Sequence, residues 1–290
     1  MKQKMDSREL GLVLGQQLLG IEDLHYGLWD GDLELSLTNL PVAQQRYTDF
    51  LVAALPPAQE TTRILDVGCG TGHILGQCLR RGYHVDGVSP SPSLSKLVRQ
   101  QLEHFPDNDS TLFECRFEDF PWEEQKKTYD VVLFSESFQY IPMETAFTII
   151  APVLKPGGKV VICDFFQTAA TGDGAPGDGS FGGGHPLAAF YELLERIPFD
   201  LERDEDITGR VSPNIALLND LLMNKIGPAA VSIGRYFENR RPWLYRLFVR
   251  LFRKRLDKIQ FKYLSGHRSA ETFERYKSYR LLVLRLRAAS

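Results

Sequence analysis

A carboxylate and three glycines follow one another at the end of a short apolar run. The run Arg63–Val67 contains Asp66 and leads into Gly68-Cys69-Gly70-Thr71-Gly72, after which a helical stretch begins. Glycines let the backbone approach a ligand closely, and the first turn of a helix offers unpaired N–H groups to a negative group. A dinucleotide-binding loop reads GxGxxG and is followed about twenty positions later by an acidic residue. Here the acidic residue comes first, so the loop indicates ligand binding but departs from the dinucleotide pattern.

Strand and helix signals alternate on both sides of this loop. Strands are predicted over 63–67, 83–88, 111–116, 129–134, 159–166, 200–207 and 278–287. Helices are predicted over 8–20, 41–55, 73–82, 91–101, 143–154, 186–196 and, as a long insertion, 214–276. The alternation predicts an α/β fold with a doubly wound, seven-stranded and mostly parallel sheet. Such sheets bind ligands at the carboxyl ends of their strands, where the glycine loop falls.

These elements divide the chain into four predicted segments. A helical cap covers residues 1–58, the ligand-binding core covers 59–213, a helical lid covers 214–277, and the last core strand lies in 278–290. The glycine-rich segment 172–184 is predicted to be a mobile loop over the carboxyl edge of the sheet.

Three segments together resemble the class I S-adenosylmethionine-dependent methyltransferases. LDVGCGTG (65–72) resembles motif I of that family, YDVVLF (129–134) its fourth-strand motif, and LKPGGKVVI (154–162) the segment before and through its fifth strand. The resemblance is to the small-molecule branch, with ubiquinone- and tocopherol-type enzymes and cyclopropane synthases as relatives. It implies a Rossmann-like fold, methyl transfer from S-adenosylmethionine, and S-adenosylhomocysteine as the product.

The resemblance also implies roles for the loop residues. In the family's pattern the loop wraps the amino-acid end of the cofactor, and the preceding acid orients the loop or binds the cofactor ammonium. Carried over to this chain, that assigns cofactor binding to Asp66, Gly68, Cys69, Gly70, Thr71 and Gly72.

Two positions depart from the family's usual pattern. Ser89, followed by Pro90, stands where most of these enzymes carry the acid that binds the ribose hydroxyls; a hydroxyl binds the diol more weakly than a carboxylate does. Arg116 stands where many relatives place the acid that meets the adenine. Either the nearby FEDF segment, with Glu118, Asp119 and Phe120, takes over that contact, or these acids lie on a surface loop.

An aromatic segment precedes the core. HYGLWD (25–30) resembles an N-terminal element of small-molecule methyltransferases. The resemblance implies that Tyr26 and Trp29 fold over the cofactor, where aromatic rings can face a sulfonium cation. The alternative is an aromatic cluster that packs the cap onto the core.

Methyl transfer from a sulfonium is an in-line displacement, so the protein must align the acceptor, exclude water and remove a proton when the acceptor is an acid. Candidates follow the fourth strand: Ser135 for the cofactor, and Glu136 and Tyr140 for catalysis. Glu136 is the preferred base by position, and the alternative is that it bonds a neighbouring helix. His185 is a second candidate, although a surface histidine is the simpler interpretation of both His185 and His25.

The predicted lid contains a strongly amphipathic, basic helix over 243–259. Residues 235–290 carry 16 Lys and Arg against 4 Asp and Glu, whereas the whole chain has a net charge of −3. Three interpretations stay open: the helix packs on the sheet or on a partner subunit in a homodimer, it lies on an anionic membrane surface, or it closes on an anionic acceptor.

Composition narrows the function further. No apolar run approaches the ~20 residues of a membrane span, and no signal-peptide pattern opens the chain, which predicts a cytoplasmic protein. The four cysteines lack metal-ligand spacing, and no nucleic-acid-binding motif is recognisable, so neither a metal nor a nucleic-acid partner is expected. The favoured function is methyl transfer to a small, lipophilic or anionic molecule. The alternatives are cyclopropane-forming or other alkyl transfer, and a non-catalytic cofactor-binding partner or regulator.

Overall fold

The computed structural model describes residues 15, 21, 23, 25–59, 61–172, 178–263 and 266–288. The predicted helix over 8–20 lies outside the described residues apart from Gly15, and so does the part 173–177 of the predicted loop. Of 258–263 only the backbone is described.

Seven strands form one sheet, in the order β3-β2-β1-β4-β5-β7-β6. They are β1 (Arg63–Val67), β2 (His84–Val88), β3 (Leu112–Phe113), β4 (Tyr129–Ser135), β5 (Leu154–Gln167), β6 (Phe199–Asp206) and β7 (Lys277–Leu286). The first five pair in parallel, and β7 pairs antiparallel with both β5 and β6. The predicted seven-stranded, mostly parallel sheet is confirmed. β5 begins at Leu154 and so includes the predicted Lys-Pro-Gly-Gly turn, whereas β3 keeps only two of its predicted residues.

Helices pack on both faces of the sheet, and further helices occupy the segment between β6 and β7, which was predicted to be a lid. They are α1 (Leu40–Val52), α2 (His73–Arg80), α3 (Pro92–Leu102), α4 (Met143–Val153), α5 (Leu187–Leu194), α6 (Thr208–Val211), α7 (Pro213–Leu221), α8 (Gly227–Arg240), α9 (Pro242–Tyr263) and α10 (Ala270–Tyr276). A π-helical segment, Leu222–Ile226, joins α7 to α8. The predicted single insertion is therefore broken into separate helices, and among the helices described here none combines the length and hydrophobicity needed to cross a membrane.

The central strand β4 shows why the sheet is buried on both sides. Val131 and Leu133 belong to one apolar cluster, and Val132 and Phe134 belong to the other. All four are fully buried. Successive side chains of a strand point to opposite faces, so a continuous apolar run is what a sheet covered on both faces requires. The strand order reverses between β1 and β4, which fixes the crevice at their carboxyl ends.

Candidate active site

A cavity of about 780 Å³ opens at the carboxyl ends of β1, β2 and β4. Its wall combines residues predicted from sequence with residues that were not. The predicted ones are Asp66, Gly68, Cys69, Gly70, Thr71, Ser89, Pro90, Glu118, Ser135, Glu136 and Tyr140. The additional ones include Asp23, His25, Ile74, Leu94, Arg116, Phe117, Ser137 and Ile141. The strand topology thus collects residues from more than a hundred positions of sequence at one edge of the sheet.

Glycine occurs at each of the three loop positions for a different physical reason. Gly68 has φ +77°, and a Cβ there would lie 2.5 Å from the Ser137 Cβ. Gly72 has φ +83°, and a Cβ there would lie 3.1 Å from the Val98 Cα of α3. Gly70 also has a positive φ, but the space around it is open. Gly68 and Gly72 therefore allow the loop to pack against its neighbours, while Gly70 keeps backbone exposed toward the cavity.

Asp66, one residue before the end of β1, has a buried carboxyl group. It is 2% exposed, and burial, with a smaller contribution from the charge of Asp23, raises its pKa to about 7. Its Oδ2 atom is buried and has no hydrogen-bond partner within the described part of the chain. A buried carboxylate oxygen without a donor is costly, and a cationic donor from a ligand would relieve that cost. The ammonium of an amino-acid group fits this requirement.

An acid and a histidine from the N-terminal segment complete this side of the wall. His25 Nε2 lies 3.1 Å from Asp23 Oδ2, and the His25 ring stacks on Tyr47 with centroids 4.4 Å apart. Burial disfavours the charged ring, but the Asp23 hydrogen bond and charge outweigh it, so the pKa of His25 is raised. The interpretation of His25 as a surface histidine was wrong, because it is 8% exposed and lines the cavity. Its partner Asp23 is close in sequence, but the two residues do not form a recognised motif.

Glu136 follows β4 in a strained backbone conformation. Its φ is +54°, a left-handed value that costs a non-glycine residue about 1–3 kcal/mol. The backbone N–H of Tyr26 donates to Glu136 Oε1 at 2.7 Å, and the Tyr279 hydroxyl donates to the same oxygen at 2.8 Å. Burial raises the pKa of Glu136, although the charge of His25 and these two donors oppose the shift. The side chain is thus bound by the N-terminal segment and β7, and not by the neighbouring helix that was the alternative.

A chain of hydroxyl groups runs behind Glu136. The Tyr279 hydroxyl, whose proton is donated to Glu136, lies 3.1 Å from the Tyr47 hydroxyl, and Tyr47 lies 3.1 Å from Ser135 Oγ. Tyr47 and Tyr279 are fully buried, and burial holds the pKa of both well above that of an ordinary tyrosine. They therefore act as neutral hydrogen-bonding groups that connect α1 and β7 to the end of β4.

Several predicted site residues lie in other surroundings. Trp29 packs with Ala43 and Leu217, which is the core-packing alternative to a cofactor contact. Phe120 packs on Phe113, with ring centroids 4.9 Å apart. Asp119 is exposed.

Tyr26 and His185, both predicted site residues, are not among the residues that line the main cavity. The ring of Tyr26 borders a second cavity of about 130 Å³, next to Ile215 and Leu222, although its N–H binds Glu136. His185 Nε2 lies 3.1 Å from the Phe138 carbonyl oxygen.

A glycine loop after β1, and a mainly apolar cavity with a few polar groups at the switch point of a doubly wound sheet, are typical of a cofactor-dependent α/β enzyme. Residues 42–205 match the Methyltransferase domain family. The match covers more than half of the chain, so the chain belongs to this family. The assignment from sequence to the S-adenosylmethionine-dependent methyltransferases is confirmed.

Two curated relatives are similar in sequence. The O-methyltransferase rstn1 of Aspergillus nomiae is 32% identical over 178 residues, which cover 60% of this chain and 72% of the relative. The 27-O-demethylrifamycin SV methyltransferase of Amycolatopsis mediterranei is 30% identical over 152 residues, which cover 51% of this chain and 53% of the relative. The chain thus spans about half the length of this second relative.

The fold also matches a solved structure. The geranyl diphosphate C-methyltransferase from Streptomyces coelicolor A3(2) superposes with a TM-score of 0.67 at 16% identity, covering 97% of this chain and 94% of the other. At that identity the likeness establishes the shared fold.

Proposed function

We propose that this protein transfers a methyl group from S-adenosylmethionine to a hydroxyl group of a small molecule. The observation that carries the proposal is the pair of carboxyl groups in one cavity wall, the buried Asp66 near the end of β1 and the half-buried Glu136 after β4. The two curated relatives named above are O-methyltransferases, which supports a hydroxyl as the acceptor.

The first carboxyl group would hold the cofactor. Asp66 Oδ2 has no donor from the described residues and would accept from the cofactor ammonium. Gly70 leaves room for the amino-acid group, and Ser89 and Glu118 line the cavity beyond it, where the ribose and adenine would bind. When bound, S-adenosylmethionine supplies a methyl group activated by the positive sulfur.

The second carboxyl group would act on the acceptor. A hydroxyl oxygen must lose its proton as it bonds to the methyl carbon, and Glu136 would take that proton. The raised pKa of Glu136 makes it a stronger base than an exposed carboxylate. The donors Tyr26 N–H and Tyr279 O–H hold Oε1 in place, and Tyr140 lines the same wall. We assign Glu136 as the base and Tyr140 as a group that orients the acceptor.

The acceptor is proposed to be small and partly apolar. Ile74, Leu94, Phe117 and Ile141 contribute apolar surface to the cavity. A pocket with apolar walls and a few converging polar groups is typical of small-molecule sites. Alkyl transfer to a carbon–carbon double bond would not need a base for a hydroxyl proton, and a non-catalytic partner would not need the strained Glu136 backbone.

The test measures transfer of a labelled methyl group from S-adenosylmethionine to phenols, quinols, hydroxy acids and amines. We expect a labelled hydroxyl acceptor, and a kcat for Glu136→Gln that is lower by about 10²–10⁴-fold, as for the loss of a general base. Cofactor affinity measured by calorimetry should stay within about twofold, because the side chain that holds the cofactor is untouched. Glu144→Gln is the matched control, since Glu144 is exposed on α4.

Two results would contradict the proposal. Full turnover of a hydroxyl acceptor by Glu136→Gln would show that Glu136 is not the base. Cofactor binding without transfer to any acceptor class would favour the non-catalytic alternative.

A further inference from the structure

Helices α8 and α9 form a surface that the methyltransferase site does not use. We call residues 227–257 the basic hairpin. From 228 to 257 every side chain is exposed or half-buried, and none is buried. Large apolar side chains make up much of this exposed surface: Val231, Ile233, Tyr236, Phe237, Trp243, Leu244, Leu247, Phe248, Leu251 and Phe252. Leu251 is 70% exposed and Trp243 is 64% exposed. A monomeric protein rarely leaves so many large apolar side chains together in water.

The side chains of α9 fall into three stripes. Trp243, Leu247 and Leu251 recur every fourth residue, and Leu244, Phe248 and Phe252 lie beside them. Tyr245, Val249 and Leu256 are half-buried and form a second stripe, and Tyr245 lies next to Gly234 of α8. The packing of α9 within the hairpin therefore uses the second stripe and leaves the first stripe exposed.

The third stripe is basic. Arg246, Arg250 and Arg253 follow one another at helical spacing and are exposed. Within 227–257 there are 8 Arg and Lys against 2 Asp and Glu, in a chain whose net charge is −3. Arg253 lies 3.9 Å from Asp257, an exposed pair that leaves the stripe strongly positive. An apolar stripe flanked by arginines on an exposed helix is the pattern of a helix that lies in the surface of a membrane.

We propose that the basic hairpin docks this protein on the surface of an anionic lipid bilayer. Trp243, Leu247 and Leu251 enter the boundary between headgroups and acyl chains, and the arginines contact the phosphate groups. This inference goes beyond methyl transfer and does not depend on the assigned base.

Charge complementarity favours a bilayer over a second copy of the chain. In an antiparallel two-fold dimer built on this apolar stripe, the arginines beside it would face the arginines of the second copy. A bilayer offers an apolar layer and anionic phosphates together, which matches both exposed stripes of α9.

The experiment is sedimentation of the full chain with vesicles of phosphatidylcholine, alone or mixed with phosphatidylglycerol. We expect binding to the mixed vesicles at low salt and release as the salt concentration rises, because salt screens exposed charges. The double variants R246E/R250E and L247S/L251S should each weaken binding at least about tenfold. Matched controls are Lys96→Glu and Leu35→Ser, which change an exposed charge and an exposed apolar residue outside the hairpin.

Tryptophan fluorescence tests the insertion itself. Of the three tryptophans, Trp29 is buried and Trp122 is half-buried, so a blue shift on adding vesicles would come from Trp243. Trp243→Phe should lose the shift and still sediment, because phenylalanine keeps the apolar contact.

Four results would overturn the proposal. They are equal binding to neutral vesicles, wild-type binding by both double variants, no blue shift in the wild-type protein, and a doubled mass in solution that both double variants abolish. Circular dichroism and cofactor affinity, unchanged in every variant, show that the variants are folded.

Discussion

The cavity and the basic hairpin represent opposite uses of apolar residues. Behind the cavity, Tyr47, Phe134 and Tyr279 are fully buried, and the Tyr279 hydroxyl donates to Glu136 in the cavity wall. In the hairpin, Trp243 and Leu251 are mostly exposed, and no side chain described between 228 and 257 is buried. Substitutions near the cavity should therefore change stability and ligand binding together. Substitutions in the hairpin should change surface binding alone.

The largest effect is expected at Gly68. In Gly68→Ala the new Cβ would lie 2.5 Å from the Ser137 Cβ and would be attached to a residue with φ +77°. Overpacking and the left-handed conformation together should lower the free energy of unfolding by roughly 2–4 kcal/mol. Cofactor affinity should fall at least about tenfold because the loop must shift. Thermal unfolding and calorimetric titration measure the two effects.

Gly31→Ala is the control for that variant, because Gly31 has open space around it and no positive φ. An unchanged melting temperature in Gly68→Ala would mean that the loop is not pressed against Ser137.

The next effect is expected at Asp66. Asp66→Asn removes the negative charge that we propose binds the cofactor ammonium, so affinity should fall about 10- to 100-fold. Without cofactor, the Asp66→Asn variant should instead be more stable than the wild-type protein above pH 7. The reason is that the folded-state pKa of Asp66 is about 7, above the ordinary value of 3.8. Its contribution to stability is then fully present below about pH 4 and is lost as the pH rises to about 7.

Urea unfolding of both proteins across this pH window tests the sign. The difference in free energy of unfolding between Asp66→Asn and the wild type should grow with pH, reaching roughly 2–4 kcal/mol in favour of the variant. A difference that shrinks with rising pH would show that Asp66 has a cationic partner in the folded protein. Comparing the two proteins also removes the contribution of Asp164, another buried carboxyl group with a pKa raised to about 8.

The sequence predicted local features better than assembled ones. Two local patterns were informative: the residue order from Asp66 to Gly72, and the apolar run of β4. Each predicted its strand and the edge of the sheet at which the cavity opens. The hydrogen bonds that Glu136 accepts from Tyr26 and Tyr279 join segments that only the folded chain brings together, so no spacing could indicate them. The aromatic side chain of Trp29 could not by itself distinguish packing in the core from a contact with the cofactor, because a tryptophan ring buries apolar surface in either position.

A moderate effect is expected at Ser89. This residue lines the cavity after β2 and is 2% exposed. Ser89→Asp introduces the carboxylate that most relatives use for the ribose hydroxyls, and a charge-assisted hydrogen bond should tighten cofactor binding by about 1–2 kcal/mol. Titration with S-adenosylhomocysteine measures the change, with Ser89→Ala as the matched variant that removes the hydroxyl. Weaker binding by Ser89→Asp than by Ser89→Ala would place the ribose elsewhere in the cavity.

The smallest effect on stability is expected at Leu251. Because 70% of this side chain is exposed, Leu251→Ala should change the free energy of unfolding by less than about 0.5 kcal/mol. The same truncation at the fully buried Leu133 should cost about 2–5 kcal/mol. Urea unfolding of the two variants compares the hairpin with the core directly. A loss of stability at Leu251 approaching that at Leu133 would mean that the stripe packs within the folded chain in solution, and then it could not be the surface that meets a bilayer.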